Sequence, residues 1–478
     1  MRALHFQVGA SATIILATLW TTSAQTTADR GADIIDVEIT RLQDPKVWGR
    51  NGAYPTGRVG IGIITTSHNV GTVNVDWIDA GGFGEPLDNR HPFIVQNMYR
   101  LREGRLEQIG LAWLKHGFVS TNDGCPDPVA YYLGVGCSDT YGNFTNANRQ
   151  DLGPRSEVNP QTGYWEPCGS HFDTGEVGYP PSVPGDCINS HDTNNAPHDT
   201  DDHRLRVYDQ DLLDADALNK IFIEGFYIVA GDENIENNFA HRQVSMIPPD
   251  PAPDWTSEPI SNFRQRPAID DWGDNVVTAS PATEGKARVA VRVVPLSPTE
   301  HRYEYNVYNM DLDRQLQSFS VPVGPGVTLT DFGFYAPVED EEPQFSMSPW
   351  PPAVSSDLVT WTAPAPDMNV GEEFPNTIRY GTMYTFWFTA DAPPADSVTA
   401  LYQFKPGIEG PLTATLSAPC ALEADLNNDR IIDTADLGLL LSAFGTTGPS
   451  GDINGDGAVD TADLGLLLGS FGLDCIAN

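Results

Sequence analysis

Apolar and polar positions alternate with a period of two through much of the chain between residues 287 and 390. "ARVAVRVV" sets Val289, Val291 and Val293 on one face, and "YEYNVY" does the same for Tyr303, Tyr305 and Val307. "SFSVPV" and "MYTFWFTA" repeat the alternation. Residues two apart share a face of a strand, so these runs predict half-buried strands. Short strands between Gly, Pro and Asp turns, sustained over roughly 160 residues, predict an antiparallel β-sandwich across 251–417.

The pattern before it is mixed. "TVNVDWI" alternates Val73, Val75 and Trp77 and predicts a strand, whereas "GRLEQIGLAWLKHGF" places Leu106, Ile109 and Trp113 at helical spacing and predicts an amphipathic helix. Between Gly117 and Asp202 the chain is rich in Gly, Pro, Asn and Asp with little period. Long irregular stretches of this kind are functional or disordered, and here four cysteines staple one. Residues 25–250 therefore read as a mixed α+β domain, ended by the proline-rich "IPPDPAPDW". Residues 1–24 read as a secretory signal peptide: Arg2, an apolar run from Val8 to Trp20, then "TSA" before Gln25. That run is shorter than the roughly 20 residues a bilayer span needs.

After Thr415 the style changes to two copies of one unit, "ADLNNDRIIDTADLGLLLSAFG" and "GDINGDGAVDTADLGLLLGSFG", aligned without gaps at an offset of 27 residues. A hard cation such as Ca²⁺ takes six to eight oxygens at about 2.3–2.6 Å, and one loop supplies them from positions 1, 3, 5, 7 (a carbonyl), 9 and 12. Copy one offers Asp425, Asn427, Asp429, the Ile431 carbonyl, Asp433 and Asp436. Copy two offers Asp452, Asn454, Asp456, the Ala458 carbonyl, Asp460 and Asp463. Position 12 is Asp where an EF-hand has Glu, so the loop must close more tightly on the ion. Position 6 is Gly457 in copy two but Arg430 in copy one. A side chain is costly where a turn needs positive φ, so the first site is expected to bind more weakly. A helix follows each loop, with Leu437, Leu440, Leu441 and Phe444 in one stripe and Leu464, Leu467, Leu468 and Phe471 in the other.

These loop–helix halves resemble a type I dockerin over residues 418–478. The resemblance implies a small all-α module whose folding depends on two calcium ions, and docking onto a cohesin domain of a scaffold or cell-surface protein. It implies that positions 10 and 11, here Thr434/Ala435 and Thr461/Ala462, face the cohesin, and that the identical pairs allow two orientations. The Thr-Ala pair departs from the Ser/Thr pair of some dockerins. Cys420 and Cys475 flank the repeats, where the ends of such a module meet, and would form a clasp. Dockerins are usually carried by proteins that act on polysaccharides, which makes an extracellular polysaccharide-binding or -degrading assembly the expected setting. The segment 302–410 resembles β-sandwich regions of secreted bacterial proteins of unassigned function, which implies no activity.

Composition adds limits. A net charge of −38, with only five lysines among 27 basic residues, argues against nucleic acid or anionic membrane as partners. Six cysteines in a secreted chain allow 15 pairings, of which proximity favours Cys125–Cys137 and Cys168–Cys187. No G-x-S-x-G, H-E-x-x-H or phosphate-cradling loop is present. Glu157, Glu166, Asp173, Glu176, Asp232 and Glu233 are candidates for a glycosidase carboxylate pair, against a background of 65 acidic residues. His171, His191, His198 and His203, interleaved with Asp173, Asp192, Asp199, Asp201 and Asp202, read first as a polar stapled loop and second as a mixed metal site. His116 and Cys137 read as structural before nucleophilic. Trp165, Trp350 and Trp361 are candidates for stacking on sugars. Three roles stay open for the body: a carbohydrate-active enzyme hydrolysing O-glycosyl bonds, a carbohydrate-binding module, or a structural cell-surface protein.

Overall fold

The computed structural model describes residues 33–474 apart from 118, 126–129, 176–184, 191–198, 251–252, 282–283, 408–409, 421, 428 and 430. The proposed signal peptide lies outside the described residues. Residues 34–478 form one compact unit.

The four strand runs of the second half are present as Ala287–Ser297, Glu300–Asn309, Leu316–Pro322 and Thr382–Ala390. They belong to two five-stranded antiparallel sheets. One runs in the order Asn275–Ala279, Ala287–Ser297, Glu300–Asn309, Thr382–Ala390, Leu329–Tyr335. Its partner runs Pro352–Val354, Leu358–Thr362, Leu316–Pro322, Pro394–Gln403, Leu412–Pro419. Their inner faces share one core, in which Val289, Val291, Tyr303, Tyr305 and Val307 meet Phe319, Val321, Trp361 and Leu401. The body is thus a β-sandwich in this part.

The first part is β rather than mixed α+β. Its main path is Val37–Asn51, Arg58–Asn69, Leu205–Tyr208, Arg105–Leu111, Phe93–Arg102, Ile221–Ile228, Phe239–Ile247, Thr256–Pro259, paired antiparallel throughout. Its α-helices among the described residues, His171–Thr174 and Asp209–Leu213, span one turn or little more. The helix expected at 104–118 is replaced by the strands Arg105–Leu111 and Leu114–His116. Leu106 and Ile109 enter different cores, because this strand is covered on both faces and so loses the alternation that marks a half-buried one. A two-residue turn starts it. Glu103 and Gly104 both have positive φ (53° and 76°) between the paired Arg102 and Arg105, and their N–H groups donate to Asp216. Of "TVNVDWI", only Val75–Asp76 is strand, although Val75 and Trp77 are buried as expected.

The sheet continues past the proline-rich connector. Thr256–Pro259 pairs with Val244–Ile247, and Trp255 enters the first core while its Nε1 donates to Asp209 at 2.7 Å. A third core then joins the two bodies. Phe93, Val95, Tyr99, Phe226 and Phe239 of the first sheet pack on Ala290, Tyr308, Tyr380 and Met383 of the sandwich. Of the sandwich strands that alternate in sequence, Glu300–Asn309 and Thr382–Ala390 are therefore buried on both faces as well.

Polar groups finish this seam. Glu224, fully buried, accepts from Tyr99 Oη (2.7 Å), Tyr308 Oη (2.8 Å), Asn97 Nδ2 (3.1 Å) and the Ala268 N–H (2.7 Å). Arg155 donates to the carbonyls of Ala112, Gln96 and Gly381 and to Asn97 Oδ1. Buried polar groups of this kind stay folded only when each donor and acceptor is met.

Candidate calcium centre in the C-terminal repeats

The last sandwich strand ends at Pro419, and the first repeat begins five residues later, at Ala424. Each contributes one helix, Thr434–Ala443 and Thr461–Gly469. Each helix starts with a capping box: Asp433 accepts from Ala435 N–H (2.6 Å) and Asp460 from Ala462 N–H (2.7 Å). Asp436 and Asp463 reach back to the N–H groups of Asp433 and Asp460 at 2.9 and 2.8 Å. Position 9 of each loop is thus the N-cap and position 12 closes the box.

Position 12 does more than cap. The second oxygen of Asp436 accepts from Leu426 N–H (2.8 Å) and Asn427 N–H (3.1 Å), and that of Asp463 from Ile453 (2.8 Å) and Asn454 (3.1 Å). Both carboxylates are fully buried. The N–H groups of Asp460, Asn454 and Ile453 hold the Asp463 carboxyl below the usual aspartate range. Positions 1, 3 and 5 curl around the same centre. Asp429 N–H donates to Asp425 and Asn427 (3.1 and 2.8 Å), as Asp456 N–H does to Asp452 and Asn454 (3.1 and 2.9 Å). Carboxylate oxygens of Asp425, Asp429 and Asp436 lie within 4.8 Å of one another, close enough to share one cation. Ile431 and Ala458, at position 7, donate their N–H groups to Asp429 and Asp456, both at 3.0 Å.

The expected difference at position 6 has a visible cause in copy two. Gly457 sits at φ +90° and donates to Asp452 Oδ2 at 2.8 Å. Arg430 lies outside the described residues.

The two halves exchange ends. Gly445 N–H donates to the Val459 carbonyl (2.8 Å) and Val459 N–H to Thr446 (3.0 Å). Gly472 N–H donates to Ile432 (2.8 Å), and Ile432 N–H to Leu473 (2.9 Å). The same bonds thus recur with the copies swapped, which is a twofold relation written in backbone contacts. Ile432, Val459, Leu440 and Leu467 form the core, with Leu437 and Leu464 packed against it. The rest of each expected stripe is exposed: Leu441 and Phe444 on one helix, Leu468 and Phe471 on the other. Thr434, Ala435, Thr461 and Ala462 are exposed too. Cys420 is buried and disulfide-bonded, while Cys475 lies outside the described residues.

No family model matches this chain. No curated protein matches it either. One solved structure it is similar to is the Serine-rich Repeat Adhesion Glycoprotein of Streptococcus agalactiae, at 8% identity over 81% of this chain and 97% of that one. The TM-score is 0.19, a likeness too slight to carry an argument.

The other candidate groups go elsewhere. Trp165, Trp350 and Trp361 are buried, so none is a sugar-stacking platform; each fills a core. Cys125–Cys137 and Cys168–Cys187 are bridged, with Cα atoms 5.6 and 4.3 Å apart, which removes Cys137 as a nucleophile for His116. Glu157 accepts from His171 N–H (2.8 Å), Asp173 from the N–H groups of Gly169 and Cys187 (2.7 and 3.0 Å), and Glu166 from Tyr164 Oη (2.7 Å). Asp232 accepts from the N–H groups of Val37 and Asn234 (3.0 and 2.9 Å), and burial pushes its carboxyl up to about 6. Glu176, His191 and His198 lie outside the described residues. Asp199, Asp201 and Asp202 do cluster, but Arg58 reaches all three and Arg206 reaches Asp201, so cations already sit there.

His171 and His203 come together as part of a buried aromatic group that the sequence reading missed. His203 stacks on Trp113 (3.8 Å between centroids), His171 packs edge-on to it (4.9 Å), and His91 Nε2 lies 2.9 Å from His116 Nδ1. Burial pushes His91 down to about 3 and His116 well below the ordinary value. Such a pair stays neutral in the fold. From about pH 6.5, where an unfolded histidine takes up its proton, down to about 3, the unfolded chain binds more protons than the folded one. His91 is thus expected to lower stability by about 1.4 kcal/mol per pH unit across that window. Urea unfolding of wild type and His91→Gln checks this: the variant should lose that part of the slope, and equal slopes would refute it.

Proposed function

We propose that residues 418–478 are a calcium-dependent docking module of the dockerin kind. It holds two Ca²⁺ ions and attaches the chain to a cohesin domain of an extracellular scaffold or cell-surface protein. The observation that carries this reading is the duplicated cage. Each copy buries a position 12 carboxylate behind three backbone N–H groups and places position 9 at the helix N-cap, and in copy one carboxylate oxygens of positions 1, 5 and 12 lie within 4.8 Å of one another. Asp425, Asn427, Asp429, the Ile431 carbonyl, Asp433 and Asp436 would hold one ion. Asp452, Asn454, Asp456, the Ala458 carbonyl, Asp460 and Asp463 would hold the other. So many like charges at close range favour a bound divalent cation, and binding and folding are then coupled. Exposed leucines and phenylalanines on both helices supply an apolar centre for the partner, with Thr434/Ala435 and Thr461/Ala462 at its edge.

The disulfides support an oxidising compartment. Among the described residues no helix is long and apolar enough to cross a membrane. For the body we propose a component of a polysaccharide-binding or -degrading assembly. A chain ending at Pro419, after the last sandwich strand, mixed with a polysaccharide panel, tests it: retention identifies a binding module, and released reducing sugar a hydrolase. Absence of both results would leave a structural cell-surface role.

Gly457→Ala is expected to weaken the second calcium site without abolishing it. A side chain at φ +90° costs about 1 kcal/mol, or roughly fivefold in affinity. Calorimetric titration separates this from wild type, and an unchanged pair of binding constants would contradict the assignment of position 6.

A further inference from the structure

Although the two repeats are equivalent in sequence, their surroundings differ. Thr461, Gly465 and Gly469 follow one another a turn apart on the second helix, and Ala462 and Leu466 lie beside them on the same side. Gly465, Leu466 and Gly469 line a cleft of about 470 Å³ whose opposite wall is the sandwich, through Pro325, Val327 and Ala392, whereas Thr461 and Ala462 are exposed outside that lining. The joint is short: Gly324 N–H donates to the Pro419 carbonyl at 2.9 Å and Cys420 N–H to Pro393 at 3.1 Å, so the tail starts against this edge of the sandwich. On the first helix the counterparts Gly438, Leu439 and Ser442 are exposed and stand outside the cleft.

Water reaches both faces alike: Leu439 is 44% exposed and Leu466 47%. What separates them is the space beyond. Leu466 faces the sandwich wall across the cleft, whereas no such wall stands opposite Leu439 among the residues that line it. A stable protein partner needs roughly 800 Å² of free surface on each side.

We infer that in the intact chain only the first repeat's face, centred on Thr434, Ala435 and Leu439, is open to a protein partner, so the chain docks in one orientation. This rests on the docking reading given above. The partner's chemistry follows from charge. No Lys, Arg or His occurs from Ile431 to Asn478, against seven aspartates in the same stretch. The occupant is therefore a cohesin-like domain with an apolar centre and a cationic rim.

Two measurements on the full chain in calcium test the inference. In the first, Leu439→Cys and Leu466→Cys are labelled with a small maleimide and with a 5 kDa polyethylene-glycol maleimide. Both should react with the small reagent at similar rates. With the large one, Leu439→Cys should react at least tenfold faster, and equal rates would overturn the proposal whether or not any partner is known. In the second, a cohesin panel is titrated against Ala435→Arg and Ala462→Arg. Ala435→Arg should lose at least 100-fold in affinity and Ala462→Arg less than twofold. Loss at Ala462→Arg, or retention in both single variants, would overturn the single orientation. If wild type binds no cohesin while the labelling asymmetry holds, the docking reading fails and the occlusion stands.

Discussion

Asp463→Ala is expected to unfold the C-terminal repeats and remove calcium binding. The wild-type carboxylate accepts three backbone N–H groups, from Asp460, Ile453 and Asn454, while fully buried. Hydrogen bonds to a charged group contribute about 1.5–3 kcal/mol each, and orphaned buried N–H groups add a desolvation cost. A module with so small a core has only about 3–5 kcal/mol to lose. The loss should spread to the first loop, because Gly472 and Leu473, beyond the second helix, pair with Ile432. Titration calorimetry should therefore find no bound calcium in the variant against two ions in wild type. Asp463→Asn keeps a carbonyl oxygen to cap the N–H groups but loses the charge, so it should retain helix and bind the second ion at least tenfold more weakly. Full stoichiometry in Asp463→Ala would contradict the assignment of position 12.

The second large effect lies far from the repeats. Arg155→Ala is expected to cost at least about 3 kcal/mol, because it combines a cavity with unmet acceptors in a buried seam. The guanidinium serves Ala112, Gln96, Asn97 and Gly381, and so ties the first sheet to the sandwich. The shared core also predicts that both bodies of the wild-type chain unfold in a single calorimetric transition. The variant should keep that transition at a lower temperature. Two well-separated transitions for the bodies in wild type would refute the shared core.

What the sequence disclosed divides along the range of the interactions. The repeats were legible because their loops, caps and helices are local: "DINGDGAVDTAD" contains its own acidic side chains, turn glycine and N-cap. The sandwich strands were legible from alternation, yet in Glu300–Asn309 and Thr382–Ala390 that alternation concealed a second buried face. Tyr308 reads as the polar-side neighbour of Val307 but packs into the core shared with the first sheet. The helix expected around Leu106, Ile109 and Trp113 failed for the same reason, since a strand buried on both faces has no period of two to betray it. The turn at Glu103-Gly104 was the available signal, and it lies between two arginines that pair across the hairpin. Trp165, Trp350 and Trp361 looked loop-borne because Pro and Gly surround them, but burial of an aromatic is settled by distant chain. No local pattern could have brought Tyr99, Glu224 and Tyr308 together, or His91 beside His116.

Calcium titration of the chain, after chelator treatment and with far-UV circular dichroism recorded alongside, decides whether residues 418–478 fold around bound ions. Two ions per chain are expected, the first-repeat site weaker, with helical signal gained as they bind and lost again in chelator. A chain that takes up no calcium, or whose spectrum is the same with and without it, would contradict the reading of residues 418–478 as a calcium-dependent docking module.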